Sequence, residues 1–524
     1  IAIAKTATTS LRQHLLRSGQ KLDPWQYLSE AVAALDSNDW PGVQQNTAFF
    51  DNIVRPQDYA RSDRLRCDPH SLEFLVHDFD AGFHQRYRTD VSLPSDPVPV
   101  AFKSFLQQPE HLGGGRCLDF RLVDFDLDDR LDILLLQEEA LLVYHQVEEG
   151  QAWTELARHP LPPGYDRFLA ADLYMVDDTK RSRKLSRPAD TGEPPALQGP
   201  RHNTYMGVVL FGNQGIRILR NNLDLPAGTD SPPFDTVEQP PNFTALRDIL
   251  AICPGDLDHD GDLDLAVSTS KGLSLWFNRG NMTYVNMSSL SSLPTASNKV
   301  TTLAAVDWDR DVDLDLLAMG PGQEAFGILE NHRHGQFRWR PLNASYPDVA
   351  PGTDIRVAEL DGNVSWDLVT AGPTGLRTLL TATSRPGSVT FLRAQATNTS
   401  TSSNLCLCDY DNDGHADLLC LVDQRLTLYR GSPTGAFKEV SAPGLGDRTD
   451  VVGIRSGDLD LDGDLDLAIL TPTGIELKRN DGGNANHWLD IRIIGKDDEQ
   501  QTGRVNHYGI GSMLEIQAAG KHLA

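Results

Sequence analysis

Gly255-Asp256-Leu257-Asp258-His259-Asp260-Gly261-Asp262-Leu263-Asp264-Leu265-Ala266-Val267 is followed, after a short gap, by Lys271-Gly272-Leu273-Ser274-Leu275-Trp276-Phe277-Asn278. Carboxylates recur at every second residue, a glycine follows the third of them, and an apolar run then starts at Asp264. Gly272 separates that run from a second one. Short apolar runs bounded by Gly and Asp clusters read as strands joined by turns. The same text returns at Gly457-Asp458-Leu459-Asp460-Leu461-Asp462-Gly463-Asp464-Leu465-Asp466, again followed by a glycine turn at Gly474.

Five more copies lie outside these two, with loops beginning at Asp124, Asp172, Asp307, Glu359 and Asp409, so successive starts are 48, 84, 51, 52, 50 and 49 residues apart. The long interval contains a polar stretch at residues 179–203, rich in Arg, Lys, Pro and Gly, which reads as an inserted exposed loop. Four short strands in about fifty residues is the size of one propeller blade, and seven copies suit closure into a ring. A blade buries both faces, which accounts for unbroken apolar runs such as Asp132-Ile-Leu-Leu-Leu136. The expected fold is mainly β: a seven-bladed β-propeller over residues 76–485, an N-terminal helical hairpin over 1–75, and a C-terminal β segment over 486–524. The hairpin rests on helical spacing of Leu11, Leu15, Leu28, Ala31, Val32 and Leu35, with Asp23-Pro24 as a helix start. It is similar to a tetratricopeptide unit. The seventh repeat lacks an outer strand. Residues 87–91, Tyr-Arg-Thr-Asp-Val, are expected to fill that edge and leave no unpaired backbone.

Four loops carry aspartate at positions 1, 3, 5 and 9: Asp124/Asp126/Asp128/Asp132, Asp256/Asp258/Asp260/Asp264, Asp409/Asp411/Asp413/Asp417 and Asp458/Asp460/Asp462/Asp466. Alternate spacing turns the first three side chains toward one point. A turn at position 6 lets the backbone carbonyl of position 7 (Arg130, Asp262, His415 or Asp464) and the carboxylate at 9 complete the shell. Hard oxygen donors on a flexible loop suit Ca2+. Gathered carboxylates repel one another strongly unless a cation compensates them. Gly261, Gly414 and Gly463 supply the positive φ expected at position 6, and Asp129 tolerates it. Asp307, Asp309, Asp311, Asp313 and Asp315 repeat the spacing with Val312 at the turn, a β-branched residue ill suited to it. Glu359, Asp361, Asn363 and Asp367 keep oxygen donors with one charge fewer, and the loop at Asp172 has lost its ligands to Tyr174 and Val176.

These repeats resemble FG-GAP/VCBS-type propeller repeats and are similar to the calcium loops of integrin α-subunit propellers. The tail Asn486-His-Trp-Leu-Asp-Ile-Arg-Ile-Ile-Gly495, with Gly509-Ile-Gly-Ser-Met-Leu-Glu-Ile516, resembles the start of an ASPIC/UnbV domain. Together they resemble the cartilage acidic protein family and its bacterial relatives. That resemblance implies an extracellular interaction or structural protein and implies no reaction.

Acidic residues outnumber basic ones 73 to 47, for a net charge of −26, which disfavours nucleic acid and anionic membrane surfaces as partners. No apolar run is long enough to span a bilayer, so no membrane insertion is expected. The six cysteines form no C-x-x-C pair; Cys253 and Cys406 read as small buried strand residues, and a bridge from Cys420 to Cys406 or Cys408 is one option. Sequons at Asn242, Asn281, Asn286, Asn343, Asn363 and Asn398 would carry glycans in a eukaryotic secretory protein. The inner strands read at 303–306, 357–358 and 405–408 offer almost no His, Glu or Arg, and no catalytic motif is present. The expected function is therefore non-enzymatic: a secreted, extracellular or periplasmic calcium-binding propeller that engages a protein partner or assembles with itself. The alternative is a carbohydrate-binding or catalytic propeller working in its central funnel.

Overall fold

The computed structural model describes residues 100–105, 112–125, 130–146, 152–173, 206–222, 232–258, 262–279, 282–295, 299–311, 313–332, 335–343, 352–363, 365–385, 388–445, 448–483, 491, 514, 516–518 and 521–523. Seven antiparallel four-stranded sheets form a seven-bladed β-propeller. Blade one runs β2 (Cys117–Val123), β3 (Asp132–Gln137), β4 (Ala140–Gln146) and β5 (Trp153–Pro160). Blade two is β6 (Arg167–Asp172), β7 (Met206–Gly212), β8 (Gly215–Asn221) and β9 (Phe234–Thr236). Blade three is β10 (Ile249–Gly255), β11 (Asp264–Thr269), β12 (Gly272–Asn278) and β13 (Tyr284–Asn286). Blade four is β14 (Thr302–Val306), β15 (Asp315–Met319), β16 (Gly327–Asn331) and β17 (Phe337–Pro341). Blade five is β18 (Asp354–Ala358), β19 (Asp367–Gly372), β20 (Gly375–Arg385) and β21 (Ser388–Ala396). Blade six is β22 (Ser402–Cys408), β23 (Asp417–Val422), β24 (Arg425–Arg430) and β25 (Lys438–Val440).

Blade seven joins the two ends of the ring. Its strands β26 (Gly453–Gly457), β27 (Asp466–Thr471) and β28 (Gly474–Asp481) are completed by β1 (Ala101–Ser104), which pairs with Lys478–Asp481 in antiparallel register. Farther along the same edge, Leu112 and Ile475 exchange backbone hydrogen bonds of 2.9 Å in both directions. An N-terminal strand does close the last blade, as edge protection requires. It is not residues 87–91, however, which lie outside the described residues. Phe102 decides the register by burying its ring between blades six and seven.

The second strand of each blade lies deepest. Every residue of β3, β11, β15, β19 and β27 is buried. Both faces of such a strand pack against neighbouring blades, so its sequence is a continuous apolar run without polar alternation. Ring closure buries Phe120, Ile133 and Leu135 of blade one against Ala468, Leu470 and Ile475 of blade seven. The same alternation forbids the suggested Cys420 bridge. Cys420 packs in the cluster with Leu405 and Leu418, whereas Cys406 and Cys408 face the opposite side with Leu419 and Leu421. All three are free, buried thiols, as are Cys117 and Cys253.

The helical hairpin expected over residues 1–75 and the insertion at 179–203 lie outside the described residues. Of residues 486–524, only Ile491, Leu514 and a hairpin of β29 (Ile516–Ala518) and β30 (Lys521–Leu523) are described.

Candidate metal loops and the axial strands

Position 9 of the loop is the first residue of the second strand, and it is buried almost completely: Asp132, Asp264, Asp315, Asp367, Asp417 and Asp466 are each at most 2% exposed. One carboxylate oxygen accepts the N–H of loop position 2, from Phe125 (2.8 Å), Leu257 (2.9 Å), Leu360 (3.1 Å), Tyr410 (3.0 Å) and Leu459 (2.9 Å). The other accepts an N–H from the end of the third strand, from Asn278, Asn331 and Asn480 at 2.8 Å and from Thr381 and Gly431 at 2.7 Å. The position-9 carboxylate thus clasps loop, second strand and third strand together. A carboxylate so enclosed holds its proton tightly. Burial, partly offset by those N–H bonds, pushes Asp417 up to about 9 and Asp367 and Asp466 up to about 8.

Positions 1, 3 and 9 converge. Asp256, Asp258 and Asp264 each place an oxygen within 4.8 Å of the others, as do Asp409/Asp411/Asp417 and Asp458/Asp460/Asp466. Glu359, Asp361 and Asp367 do the same, so a loop left out of the expected set is built like the rest; its oxygen donors at positions 1, 3, 5 and 9 were the available signal. In the fourth blade the gathered residues are Asp307, Asp309 and Asp311, while Asp315 accepts from Asn331. Asp126, Asp128 and Asp260 lie outside the described residues; Asp124, Arg130, Asp262 and Asp313 are described, the last two buried.

In blades six and seven, unlike Asp311 in blade four, position 5 behaves differently from the expected inward ligand. Asp462 accepts from Asp464 N at 3.0 Å, and Asp413 from His415 N at 2.9 Å, which shapes the turn. Position 1 also braces the loop: Asp458 accepts from Asp462 N and Gly463 N, and Asp409 from Asp413 N and Gly414 N. The glycines at position 6 have the positive φ expected of them, 84° at Gly414 and 93° at Gly463. Position 4 is left-handed as well, in Arg310 (59°), Gly362 (70°), Asn412 (51°) and Leu461 (57°). For leucine and arginine this is a strained conformation, held at the head of the acidic cluster.

Blade six carries its own cation. Arg430 donates from Nε to Asp411 at 2.8 Å and from Nη2 to Asp413 at 2.7 Å, with Asp411 fully buried. The corresponding residue in blade three is Phe277, and in blade seven it is Arg479, which pairs with Asp481 at 2.7 Å. A second device escaped the sequence reading. Asparagines ending the third strands reach back to the position-2 carbonyl of the preceding blade: Asn221 to Phe125, Asn278 to Leu173, Asn331 to Leu257 and Asn480 to Tyr410, at 2.8–3.1 Å. The repeated Phe277-Asn278 and Arg479-Asn480 endings were its visible trace. Two sequon asparagines are likewise engaged, Asn363 with Thr381 O and Asn398 with Tyr429 Oη.

The axial strands are richer in charge than the three fragments read from sequence implied. Three residues before the loop stand Arg121, Arg356 and Arg455, with Asp119 and Asp354 two residues earlier in the first two cases. Arg121 bonds Asp119 at 2.6 Å and Phe168 O at 2.6 Å in the next blade. Arg356 bonds Asp354, whose other oxygen accepts Leu405 N of blade six at 2.9 Å. Arg167 reaches Ile249 O and Leu250 O of blade three. Inner-strand side chains thus fasten each of these blades to its neighbour around the axis.

The family model of the FG-GAP-like repeat matches residues 256–318 and 409–469, so the chain carries FG-GAP-like repeats in a seven-bladed propeller. No curated protein matches the chain. Among solved structures it is similar to an Agrocybe aegerita lectin that recognises non-reducing terminal N-acetylglucosamine, at 15% identity over 71% of this chain and 88% of that one, TM-score 0.38. BBS1N in complex with ARL6DN is similar at 10% identity over 72% of this chain and 96% of that one, TM-score 0.42. The extracellular domain of the putative hybrid two-component system BT4673 of B. thetaiotaomicron is similar at 14% identity, covering 72% of this chain and 39% of that one, TM-score 0.38.

Proposed function

We propose that the chain is a calcium-stabilised, extracytoplasmic propeller that serves as a binding or scaffolding module for a protein partner or for further copies of itself, with no catalytic role. The observation that carries the metal part is the recurrence, loop after loop, of three carboxylate oxygens within 4.8 Å of one another, with the position-9 carboxylate buried in four of the five clusters. Burial and mutual repulsion already raise Asp409 to about 7 and Asp460 to about 6, so these groups are short of positive charge. An all-oxygen donor set on a strained loop fits calcium better than a softer or stricter ion. Asp256, Asp258 and Asp264, Asp458, Asp460 and Asp466, and Glu359, Asp361 and Asp367 would hold it. An extracytoplasmic home agrees with the same chemistry, since loops at the weak end of the calcium-affinity range fill only where calcium is abundant.

The test is thermal unfolding with and without chelator, beside metal analysis of the purified protein. A melting temperature lowered by about ten degrees or more in chelator, with several calcium ions per chain, is the expected result, since a ligand that binds only the folded state stabilises it. An unchanged melting temperature and no bound calcium would reject the reading. Carbohydrate binding or catalysis in the funnel is the second reading, favoured by the arginines on the axial strands.

A further inference from the structure

The three axial arginines are not equivalent. Arg121 and Arg356 each bond an aspartate placed two residues before them on the same strand face, Asp119 and Asp354. At the matching place before Arg455 stands Gly453. Nothing steric requires a glycine there. A Cβ on Gly453 would lie 3.5 Å from Phe120 Cε1 and 3.8 Å from Leu470 Cβ, which is ordinary van der Waals contact, and its φ is not in the left-handed region. Arg455 itself donates from Nη1 to Ile454 O at 2.8 Å and lies over the Phe120 ring, 5.5 Å from its centroid. Among the described residues no carboxylate bonds it. A guanidinium stacked on a ring keeps its remaining N–H edge for an in-plane oxyanion.

The surroundings are short of negative charge. Burial lowers the pKa of Arg455, and Arg121 and Arg356 lie near enough to add repulsion, which Asp119 offsets only in part. Asp119 is already committed to Arg121, Phe120 N and Phe168 N. On the neighbouring strand Cys406 lies beside Arg455 and Arg356, and its proton is loosened first by its bond with Cys408, then by Ser456 and these two cations. Solvent reaches the cluster, because the side chains of Arg121 and Arg356 are 27% and 36% exposed.

We propose that the axial face of β26 beside Arg455 binds one small oxyanion, a carboxylate in the first instance, in the place that Asp119 and Asp354 fill beside Arg121 and Arg356. The ligand's two oxygens take the N–H groups of Arg455 that no described carboxylate bonds, on the side where Gly453 carries no side chain. With a net charge of −26 the rest of the molecule repels such a ligand at long range. Affinity is therefore compared at constant ionic strength.

Equilibrium dialysis of the full chain with labelled acetate, and in parallel with labelled sulfate, at fixed calcium and fixed ionic strength tests this directly. About one ion bound per chain is expected. Arg455→Gln should weaken it tenfold or more, and Gly453→Asp should abolish it while raising the melting temperature in chloride alone. Neither ion bound by the wild type, or binding kept by Gly453→Asp, overturns the proposal. Retained folding of Gly453→Asp is checked by its melting curve, and the chelator experiment on the loops reads out independently of all these arms.

Discussion

Asp466 and Asp462 stand four residues apart in one loop, and the structure gives them different work. Asp466 is fully buried and accepts two backbone N–H groups, from Leu459 and Asn480, whereas Asp462 shapes the turn through Asp464 N. Asp466→Ala strands two buried donors, so it should cost about 3 kcal/mol or more of stability even in chelator, by the cost of unsatisfied buried polar groups. Asp462→Ala removes a single, partly exposed turn hydrogen bond and should cost only about 1 kcal/mol in chelator. Denaturant unfolding with and without calcium separates the two; equal losses for both variants in chelator would refute the division. Arg430 poses the complementary case. Its fork on Asp411 and Asp413 must open before a divalent ion can use them. Arg430→Met should raise calcium affinity at blade six about tenfold, equivalent to about 1.4 kcal/mol, read by calorimetric titration against the wild type. No gain, or a loss, would mean that the guanidinium braces the loop without competing for it.

Among the elements, β1 is only four residues long and carries the closure of the ring. Phe102 is its one deeply buried side chain, and its backbone N–H also donates to Pro443 O at 2.9 Å. Phe102→Ala removes a core aromatic from the seam between blades six and seven, at an expected cost of about 3–5 kcal/mol, and it should turn reversible melting into aggregation as β28 loses its cover. Light scattering during a thermal ramp reads this; a variant that melts like wild type would show that the seam holds without β1. The same strand shows where the sequence was legible and where it was not. The blades declared themselves because Asp-Leu openings and glycine turns recur about every fifty residues. The need for a closing strand followed from counting strands. Its location did not, because Ala-Phe-Lys-Ser shows a single buried position and so almost no alternation, while Tyr-Arg-Thr-Asp-Val alternates well. Arg356 was missed for a related reason: the blade-five fragment read began at Val357, one residue past it, and period two places the axis-facing side chains at 354 and 356. Positions 1, 3 and 9 of the loops were legible from spacing; the double hydrogen-bonding role of position 9 was not, since spacing says nothing about which N–H groups a carboxylate meets.

For the whole molecule the buried carboxylates make stability depend on pH with a sign opposite to that of most acidic proteins. Desolvation holds Asp417 near 9, Asp367 and Asp466 near 8, Asp409 near 7, and Asp460 and Asp464 near 6, all above the ordinary 3.8. Without metal, the folded state keeps these protons at pH values where the unfolded chain has released them. The folded state therefore binds more protons, and stability must fall as pH rises. This contribution is complete below about pH 4, is lost progressively as pH climbs above that, and is gone for each group once pH has passed its folded value, about 6 to 9. Calcium competes with protons for the same oxygens, so its apparent affinity should rise over that same range. In chelator the melting temperature should decline from pH 5 to pH 8. In saturating calcium it should hold or rise, so the gap between the two curves widens steadily with pH. Melting curves at several pH values, each with chelator and with calcium, test both limbs. A chelated protein that grows more stable toward pH 8 would mean that its loop carboxylates are ionised and already compensated by partners such as Arg430, and the loops would then have no call on a divalent cation.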